Sequence, residues 1–445
     1  MHLFFSGIGG SGISALAHIA LDLGFSVSGS DITDGANTKI LKVRGALIEI
    51  GQSAHEIAKI NSLKPINWLV RSSSISDTSD ELLFARQHNI KVSKRDDFIN
   101  FVIKKEKLKL IAVCGTHGKT TTTAMLSWLF HKMGIPVSHI IGSNITWGKS
   151  GQFQEKSRYL LLEADEYDRN FLAYIPEATI LTSIGYDHPD TYPTKEDYFA
   201  AFREFLLRSK LLVAFNEDLK KLGIQAWQNK DQTIQKDIWQ LKKTFAGKTV
   251  TYNSFELLGL HNRQNAALAT SLFSKIFEAL GQSKADANNH ELMTRLEQNI
   301  SQFPGTARRM ERLFENTYTD YAHHPDEIQA TLQLASELEK EIVVVYQPHQ
   351  NLRQHQILDL YKYSFAKSGK VYWLPTYLTR EDPNLKVLSQ AELIASLNDP
   401  RIAVESEMNP ALVEQLKKDH NLGKVIIFMG AGSIDSWARK NFILL

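Results

Sequence analysis

The sequence predicts an α/β protein made of several strand–helix units in series. Three observations carry that prediction. Short apolar runs end in glycine, hydroxyl or acidic residues and are followed by segments with helical apolar spacing, the alternation that builds parallel sheets. Two of these passages hold glycine clusters, Gly7 to Gly12 and Gly115 to Gly118. The length of 445 residues corresponds to about three domains at roughly 150 residues each.

Composition narrows the class. The net charge is +2 and basic residues are scattered, so no strong field draws the chain to nucleic acid or to a membrane surface. Cys114 is the only cysteine, which excludes an internal disulfide and fits a reducing compartment. Placed at a strand end, it reads as a packing residue rather than a nucleophile. No apolar run reaches spanning length. Met1 leads directly into an apolar strand with no basic stretch before it, so no signal peptide is read. A soluble cytoplasmic protein without an obligate protein partner is expected.

The first unit opens with an apolar strand, His2 to Ser6, then Gly7-Ile8-Gly9-Gly10-Ser11-Gly12, a helix from Ile13 to Leu23, and a second strand from Phe25 to Ser30 that ends at Asp31. Gly7, Gly9, Gly10 and Gly12 let backbone approach a diphosphate, and Asp31 is placed to accept from a ribose hydroxyl. Read alone, this motif points to NAD. A nucleotide sugar offers the same two groups, and a strand–helix turn without a ligand is the plain structural alternative. Trp68 to Ser76 is a strand running into hydroxyls. Ser72 and Ser73 then lie at the carboxyl end of a parallel strand, where such sheets bind ligands, although a solvated loop exit explains them nearly as well. The lysine-rich stretch Lys104 to Lys109 sets the first boundary, giving a unit of 1–107.

The second unit, 108–302, begins with a buried strand, Leu110 to Val113, the loop Gly115-Thr116-His117-Gly118-Lys119-Thr120-Thr121, and a helix from Thr120 to Phe130. Loop N–H groups and the helix N-terminus point positive partial charge at one spot. Lys119 adds a mobile full charge, and Thr120 puts a hydroxyl where Mg²⁺ bridging two phosphates would sit. The usual phosphate loop has its first glycine where this chain has Val113; here the glycine is Gly115. The strand Tyr159 to Leu162 ends in Glu163-Ala164-Asp165-Glu166-Tyr167-Asp168, carboxylates of the kind that hold Mg²⁺ beside a phosphate loop. Asp165, Glu166 and Asp168 either contact substrate or cap the following turn. The next strand, Ala178 to Ile184, leads to Asp187-His188-Pro189-Asp190. On the residues alone His188 reads as a proton-handling or polar loop residue, since imidazole is an unusual Mg²⁺ ligand. Tyr198 to Leu207 has helical spacing, Ala214 to Asn216 a strand and turn, and Leu219 to Lys248 is polar and carries no assigned function. Leu258 to Ala267 opens a helix with His261, Asn262 and Asn265 as polar residues at its start; Asn262 also fits a plain N-cap.

At Phe303-Pro304-Gly305-Thr306-Ala307-Arg308-Arg309 the chain hinges into a third unit, 303–445. Arg308 or Arg309 either meets phosphate or forms a surface pair. A strand from Tyr318 to Tyr321 carries Asp320 and runs into Ala322-His323-His324-Pro325, before a helix from Asp326 to Leu338. Ile342 to Tyr346 leads into Gln347-Pro348-His349-Gln350-Asn351-Leu352-Arg353, and Val425 to Phe428 into Met429-Gly430-Ala431-Gly432-Ser433. Val371 to Leu374 is a further strand. The histidine pair raises zinc, but no cysteine or third histidine stands at metal-site spacing.

The Gly115–Thr121 loop resembles the ATP loop of the Mur ligases, which add amino acids to the cell-wall precursor UDP-N-acetylmuramate. It is most similar to the L-alanine-adding members and to the ligase that recycles wall tripeptide. Ser72–Ile75 resembles the family's Ser-Ser-Ala-Ile with Ser74 in the alanine's place, and Glu163–Glu166, Asp187–Asp190, Gly259–Ala267, Asp320–Pro325 and Gln347–His349 match the family in the same order, across all three units. The resemblance implies a Rossmann-like N-terminal domain for the UDP-sugar, a central P-loop ATPase-like domain, and a Rossmann-like C-terminal domain closing over nucleotide and amino acid. It implies ATP and Mg²⁺, with UDP-N-acetylmuramate and L-alanine as substrates joined through an acyl phosphate. Thr120, Glu163 and His188 are then the metal ligands. Gly115 to Thr121, His261, Asn262, Asn265, Arg308 and Asp320 contact ATP, and Gly7, Gly9, Gly10, Gly12, Asp31, Ser72 and Ser73 contact the nucleotide sugar. Lys119, His188 and His323 are the candidate catalytic groups. The amino-acid carboxylate needs a bidentate partner, for which Arg353 is the candidate, with His323 or His324 beside it. Some members carry an arginine directly after Gln-Pro-His; this chain has Gln350, which leaves the amine open among L-alanine, glycine, L-serine and tripeptide. Two readings from other classes are an NAD-dependent oxidoreductase, which leaves the second glycine loop unexplained, and a non-catalytic nucleotide-sugar sensor, which leaves the acid and histidine strand ends unexplained.

Overall fold

The computed structural model describes residues 1–188, 191–224, 237–241, 255–281, 289–379 and 381–442. Pro189, Asp190 and most of the Leu219–Lys248 stretch lie outside the described residues.

The described strands form three sheets. The first contains β1 (His2–Ser6), β2 (Ser26–Asp31), β3 (Leu47–Ile50), β4 (Trp68–Arg71) and β5 (Lys91–Lys94), all parallel, in the order β3-β2-β1-β4-β5. The strand order reverses between β1 and β4, so the glycine loop after β1 and the serines after β4 open onto the same crevice, where such sheets bind ligands. The second contains β6 (Lys109–Cys114), β7 (Ser138–Ile140), β8 (Gly151–Gln152), β9 (Tyr159–Glu163), β10 (Ala178–Leu181), β11 (Leu211–Phe215) and β12 (Asp237–Leu241), in the order β12-β11-β10-β6-β9-β7-β8. It is parallel apart from the β7–β8 pair. β6 therefore lies between the two strands that end in acids and histidine. The third contains β13 (Glu311–Phe314), β14 (Thr317–Asp320), β15 (Ile342–Tyr346), β16 (Lys370–Trp373), β17 (Ala403–Glu405) and β18 (Val425–Met429), in the order β13-β14-β18-β15-β16-β17, with only β13 antiparallel.

The central strands are apolar on both faces because helices cover both. Phe4 and Phe5 of β1, Ile111 to Cys114 of β6 and Val343 to Tyr346 of β15 are fully buried. Cys114 is among them, its thiol pushed up by burial, as expected of a packing residue. Among the described residues no helix is long and apolar enough to cross a membrane.

The chain packs into two compact units: Met1–Phe255 with Asn265–Pro304, and Glu256–Gln264 with Gly305–Leu445. The first and second sheets thus share one unit, and their cores are continuous from Leu16 and Ile19 to Leu160 and Phe202. Two of the contacts that join them are close-fitting. A Cβ on Gly151 of β8 would lie 1.9 Å from the carbonyl oxygen of Ala15, so backbone meets backbone there. The Asp22 carboxylate, at the end of the helix Ser11–Asp22, accepts from Arg44 Nη2 at 2.6 Å, Lys149 Nζ at 2.6 Å and the Phe153 N–H at 3.0 Å. Residues 256–264 group with the second unit, although the sequence placed the change of unit near Phe303. The helix Leu260–Ala279 starts two residues before Asn262, which is therefore not its cap. The Asn262 amide donates to the Leu258 carbonyl at 3.0 Å instead.

Gly151→Ala is expected to lower stability by roughly 2 kcal/mol or more, since neither backbone can yield the room a methyl needs. Urea unfolding, read as a shift of midpoint for the first unit, checks this.

Candidate active site

The phosphate loop takes its shape from two glycines. Gly115 has φ +139°, and a Cβ there would lie 2.1 Å from Thr182 Oγ1 and 2.8 Å from the Ser183 carbonyl oxygen. Only glycine fits, which explains why the glycine stands at 115, while Val113 is a buried residue within β6. Gly118 has φ +85° and precedes the helix Lys119–Lys132; a Cβ there would lie 2.8 Å from Asn265 Oδ1, so Asn265 sits against the loop. The end of β10 supports the other side. Ser183 Oγ accepts from the His117 N–H at 3.0 Å, Thr182 Oγ1 donates to the His117 carbonyl at 2.6 Å, and Thr116 Oγ1 donates to the Gly185 carbonyl at 2.9 Å. The Thr182–Gly185 segment carried no signal of this in the sequence. Thr121 lies in the first turn of the helix.

Two side chains meet as the chemistry requires. Thr120 Oγ1 donates to Glu163 Oε1 at 2.8 Å, and Glu163 Oε2 accepts from the Gly142 N–H at 2.7 Å. A hydroxyl and a carboxylate held together beside a phosphate cradle form a hard, all-oxygen donor pair that fits Mg²⁺. Lys119 Nζ donates to the carbonyls of Gly115 at 2.6 Å and Thr116 at 3.3 Å, and to Glu166 Oε1 at 2.8 Å. Burial opposes the ammonium charge, but Glu166, Asp165 and Glu163 outweigh it and hold the Lys119 pKa above its usual value. His188, at φ +56°, sets Nε2 3.7 Å from Glu166 Oε1 and 3.8 Å from Asp187 Oδ2.

The acids after β9 therefore separate in role. Glu166 is fully buried against Lys119. Asp165 accepts from the Tyr167 N–H at 3.2 Å, as a turn cap does, and Asp168 pairs with Lys94 at 2.8 Å on the surface.

In the first sheet, Gly7 has φ +74°, and the N–H groups of Gly7 and Ile8 both reach the Ser30 carbonyl, at 3.0 and 2.9 Å. The Gly9 N–H donates to Asp31 Oδ2 at 2.8 Å. Asp31 thus shapes the glycine loop from the end of β2. A Cβ on Gly7 would lie 3.4 Å from Ser72 Cβ, which places Ser72 at the loop. Gly10 precedes the helix Ser11–Asp22, and a Cβ on Gly12 would lie 3.2 Å from Arg95 Nη1. Arg95 was not singled out in the sequence; its cue was an arginine opening a helix just past the end of β5.

In the second unit, Arg308, at φ +57°, donates through Nη2 to the Gly430 carbonyl at 2.8 Å and lies 4.6 Å from the centre of the Tyr321 ring, with Arg309 at 5.1 Å. Asp320 is buried, and its oxygens accept from the N–H groups of Met310 at 2.7 Å and Ala322 at 2.8 Å. It therefore organises the turn that carries Arg308. His324 caps the helix Pro325–Ser336, its Nδ1 accepting from the Asp326 N–H at 3.3 Å. His323 meets the Arg353 guanidinium through Nε2. Since guanidinium can only donate, Nε2 is the acceptor and the proton sits on Nδ1, 3.0 Å from the Tyr321 carbonyl and 3.3 Å from Glu327. Burial, reinforced by Arg353 and opposed by Glu327, lowers the His323 pKa to about 4. His261 is likewise lowered to about 4 by burial. Gln350 has φ +63°, and its N–H donates to the Tyr377 carbonyl at 3.0 Å. The Tyr377 ring stacks on His349 at 5.7 Å. Glu327 and Tyr377 were not found from sequence: Glu327 stands one helical turn after His323 in an ordinary helix start, and Tyr377 lies on a segment that meets His349 only in the fold.

Three family models match the chain in order: the Mur ligase family catalytic domain over residues 2–107, the Mur ligase middle domain over 113–273, and the Mur ligase glutamate ligase domain over 308–432. The UDP-N-acetylmuramate–L-alanine ligase of Hydrogenobaculum sp. (strain Y04AAS1) is 32% identical, with 98% of this chain and 97% of that one covered. Among solved structures, UDP-N-acetylmuramate-alanine ligase MurC from Thermotoga maritima superposes with TM-score 0.74 at 24% identity, covering 99% and 98% of the two chains. A murein peptide ligase from Psychrobacter arcticus 273-4 gives TM-score 0.66 at 21% identity, covering 99% and 98%. These two structures support the fold.

Histidine NMR titration checks the His323 geometry. The imidazole should stay neutral, with its proton on Nδ1, from pH 8 down to about 5. Arg353→Ala removes a cation that opposes protonation, so it should raise the His323 pKa.

Proposed function

The chain belongs to the Mur ligase family, and we propose that it joins L-alanine to the lactyl carboxylate of UDP-N-acetylmuramate with conversion of ATP to ADP and phosphate, a step of peptidoglycan precursor synthesis. The observation that carries the chemistry is the Thr120–Glu163 pair beside Lys119 on the glycine-strained loop. Similarity to the L-alanine ligases over nearly the full length of both chains supports the substrates.

We assign the UDP-sugar to the domain of residues 1–107, ATP to 108–302 and the amine to 303–445. Gly7, Gly9, Gly10 and Gly12 bring backbone to the diphosphate, with Asp31, Ser72 and Ser73 around the nucleoside. The Gly115–Thr121 loop holds the triphosphate, and Asn265, His261 and Asn262 serve the adenine. Thr120, Glu163 and His188 would hold Mg²⁺, which neutralises phosphate charge when bound. Lys119 stabilises the charge that develops as the lactyl carboxylate takes the γ-phosphoryl group and ADP departs. The resulting acyl phosphate reacts with the neutral amine of L-alanine: the C–N bond forms and phosphate leaves. Arg353 clamps the amino-acid carboxylate. Both nitrogens of His323 are engaged, so it acts by holding Arg353 in place. We assign the reaction to the cytoplasm, a reducing compartment that a chain with a single cysteine fits.

The discriminating assay is phosphate release from ATP with UDP-N-acetylmuramate and, in turn, L-alanine, glycine, L-serine and wall tripeptide. L-Alanine should be preferred; a preference for tripeptide assigns the chain to the recycling ligase. Lys119→Ala should lower turnover by roughly a hundredfold or more with ATP saturating. Arg353→Ala should raise the KM for L-alanine by about tenfold or more and leave that for ATP nearly unchanged, because a lost hydrogen bond to a charged group costs about 1.5–3 kcal/mol.

A further inference from the structure

Lys119 has no donor to spare. An ammonium carries three N–H groups, and here the acceptors are two loop carbonyls and the Glu166 carboxylate, at 2.6, 3.3 and 2.8 Å. A lysine that serves a triphosphate must let go of one of them. The carbonyls move only if the loop itself changes shape, and Gly115 is wedged against Thr182 and Ser183. The carboxylate is the acceptor that can be released.

Glu166 is built to survive that release. Its side chain is fully buried, so once free of Lys119 it needs other donors. One stands next to it. The Tyr198 hydroxyl lies 3.4 Å from Glu166 Oε1 and 3.1 Å from Thr116 Oγ1, so a single O–H is shared between the loop and the acid. His188 Nε2 lies 3.7 Å from the same carboxylate oxygen. The backbone of Glu166 is anchored independently, its carbonyl accepting from the Tyr192 hydroxyl at 2.7 Å.

We propose that Glu166 is a positioning residue that holds Lys119 withdrawn while the nucleotide site is empty, and passes to Tyr198 when Lys119 turns to the triphosphate. The proposal rests on the reading that ATP binds the Gly115–Thr121 loop. It makes Glu166 a competitor of the phosphates for one ammonium. Removing its charge leaves Lys119 without its direct ion-pair partner, a deficit that the bound triphosphate then makes good.

The test is binding of a fluorescent ATP analogue to the full-length protein, without nucleotide sugar or amine. Glu166→Gln keeps the shape and should tighten binding by roughly threefold or more, while Tyr198→Phe removes the waiting donor and should weaken it by a similar factor. Glu166→Asp keeps the charge but draws it back by one methylene, and should fall between wild type and Glu166→Gln. In a Lys119→Met background the Glu166→Gln effect should vanish. An effect that persists there is general repulsion between carboxylate and phosphate and overturns the proposal, as does unchanged or weaker binding in Glu166→Gln alone. If Glu166→Gln fails to fold, Tyr198→Phe with and without Lys119→Met decides in the same way. Wild-type protein that binds no analogue instead refutes the ATP reading itself.

Discussion

The site depends on one steric constraint: the backbone at Gly115 passes so close to the end of β10 that no side chain can stand there. The contact fixes where β6 stops and how the loop turns. From that turn follow the direction of the His117 N–H, the start of the helix at Lys119 and the placing of Thr120 over Glu163. A standard phosphate loop reaches its cradle with an earlier glycine. Here Val113 is free to fill the core, because the freedom of φ has been moved two residues along.

That difference shows what was legible. The strands could be read because helices cover both faces of the sheets, so runs such as Ile342 to Tyr346 are apolar throughout and end abruptly in polar residues. The glycine loops, Lys119, Thr120 and Glu163 could be read because phosphate chemistry needs those residue types at strand ends. The supporting groups could not. Ser183, Tyr198, Glu166 and Arg95 come from four separate segments, and each owes its role to a neighbour far away in the sequence. Tyr198 sits in an ordinary amphipathic helix, where nothing distinguishes a core tyrosine from one whose hydroxyl reaches the phosphate loop. Asn262 failed for a related reason. Its residue type fits a cap, but the helix begins earlier, at Leu260.

The histidines illustrate how environment divides identical side chains. His323 and His324 are adjacent, and the sequence offers no ground to choose between them. The fold uses His324 as a helix cap and buries His323 between Glu327 and Arg353. Burial keeps the second ring neutral, and neutrality is what lets it accept from a guanidinium. A charged ring there would repel the arginine it now supports.

The join between the first two sheets bears on how freely this protein can exchange parts. Ala15 and Asp22 belong to the N-terminal domain, while Gly151, Lys149 and Phe153 belong to its neighbour, and the contact leaves no tolerance for a methyl group. A chimera that swapped residues 1–107 for those of a relative would bring a foreign helix against a hairpin shaped for this one. The inheritable module is therefore larger than the sheet: the first helix and the β8 hairpin form one seam, and recombination that respects the fold has to carry both sides of it together.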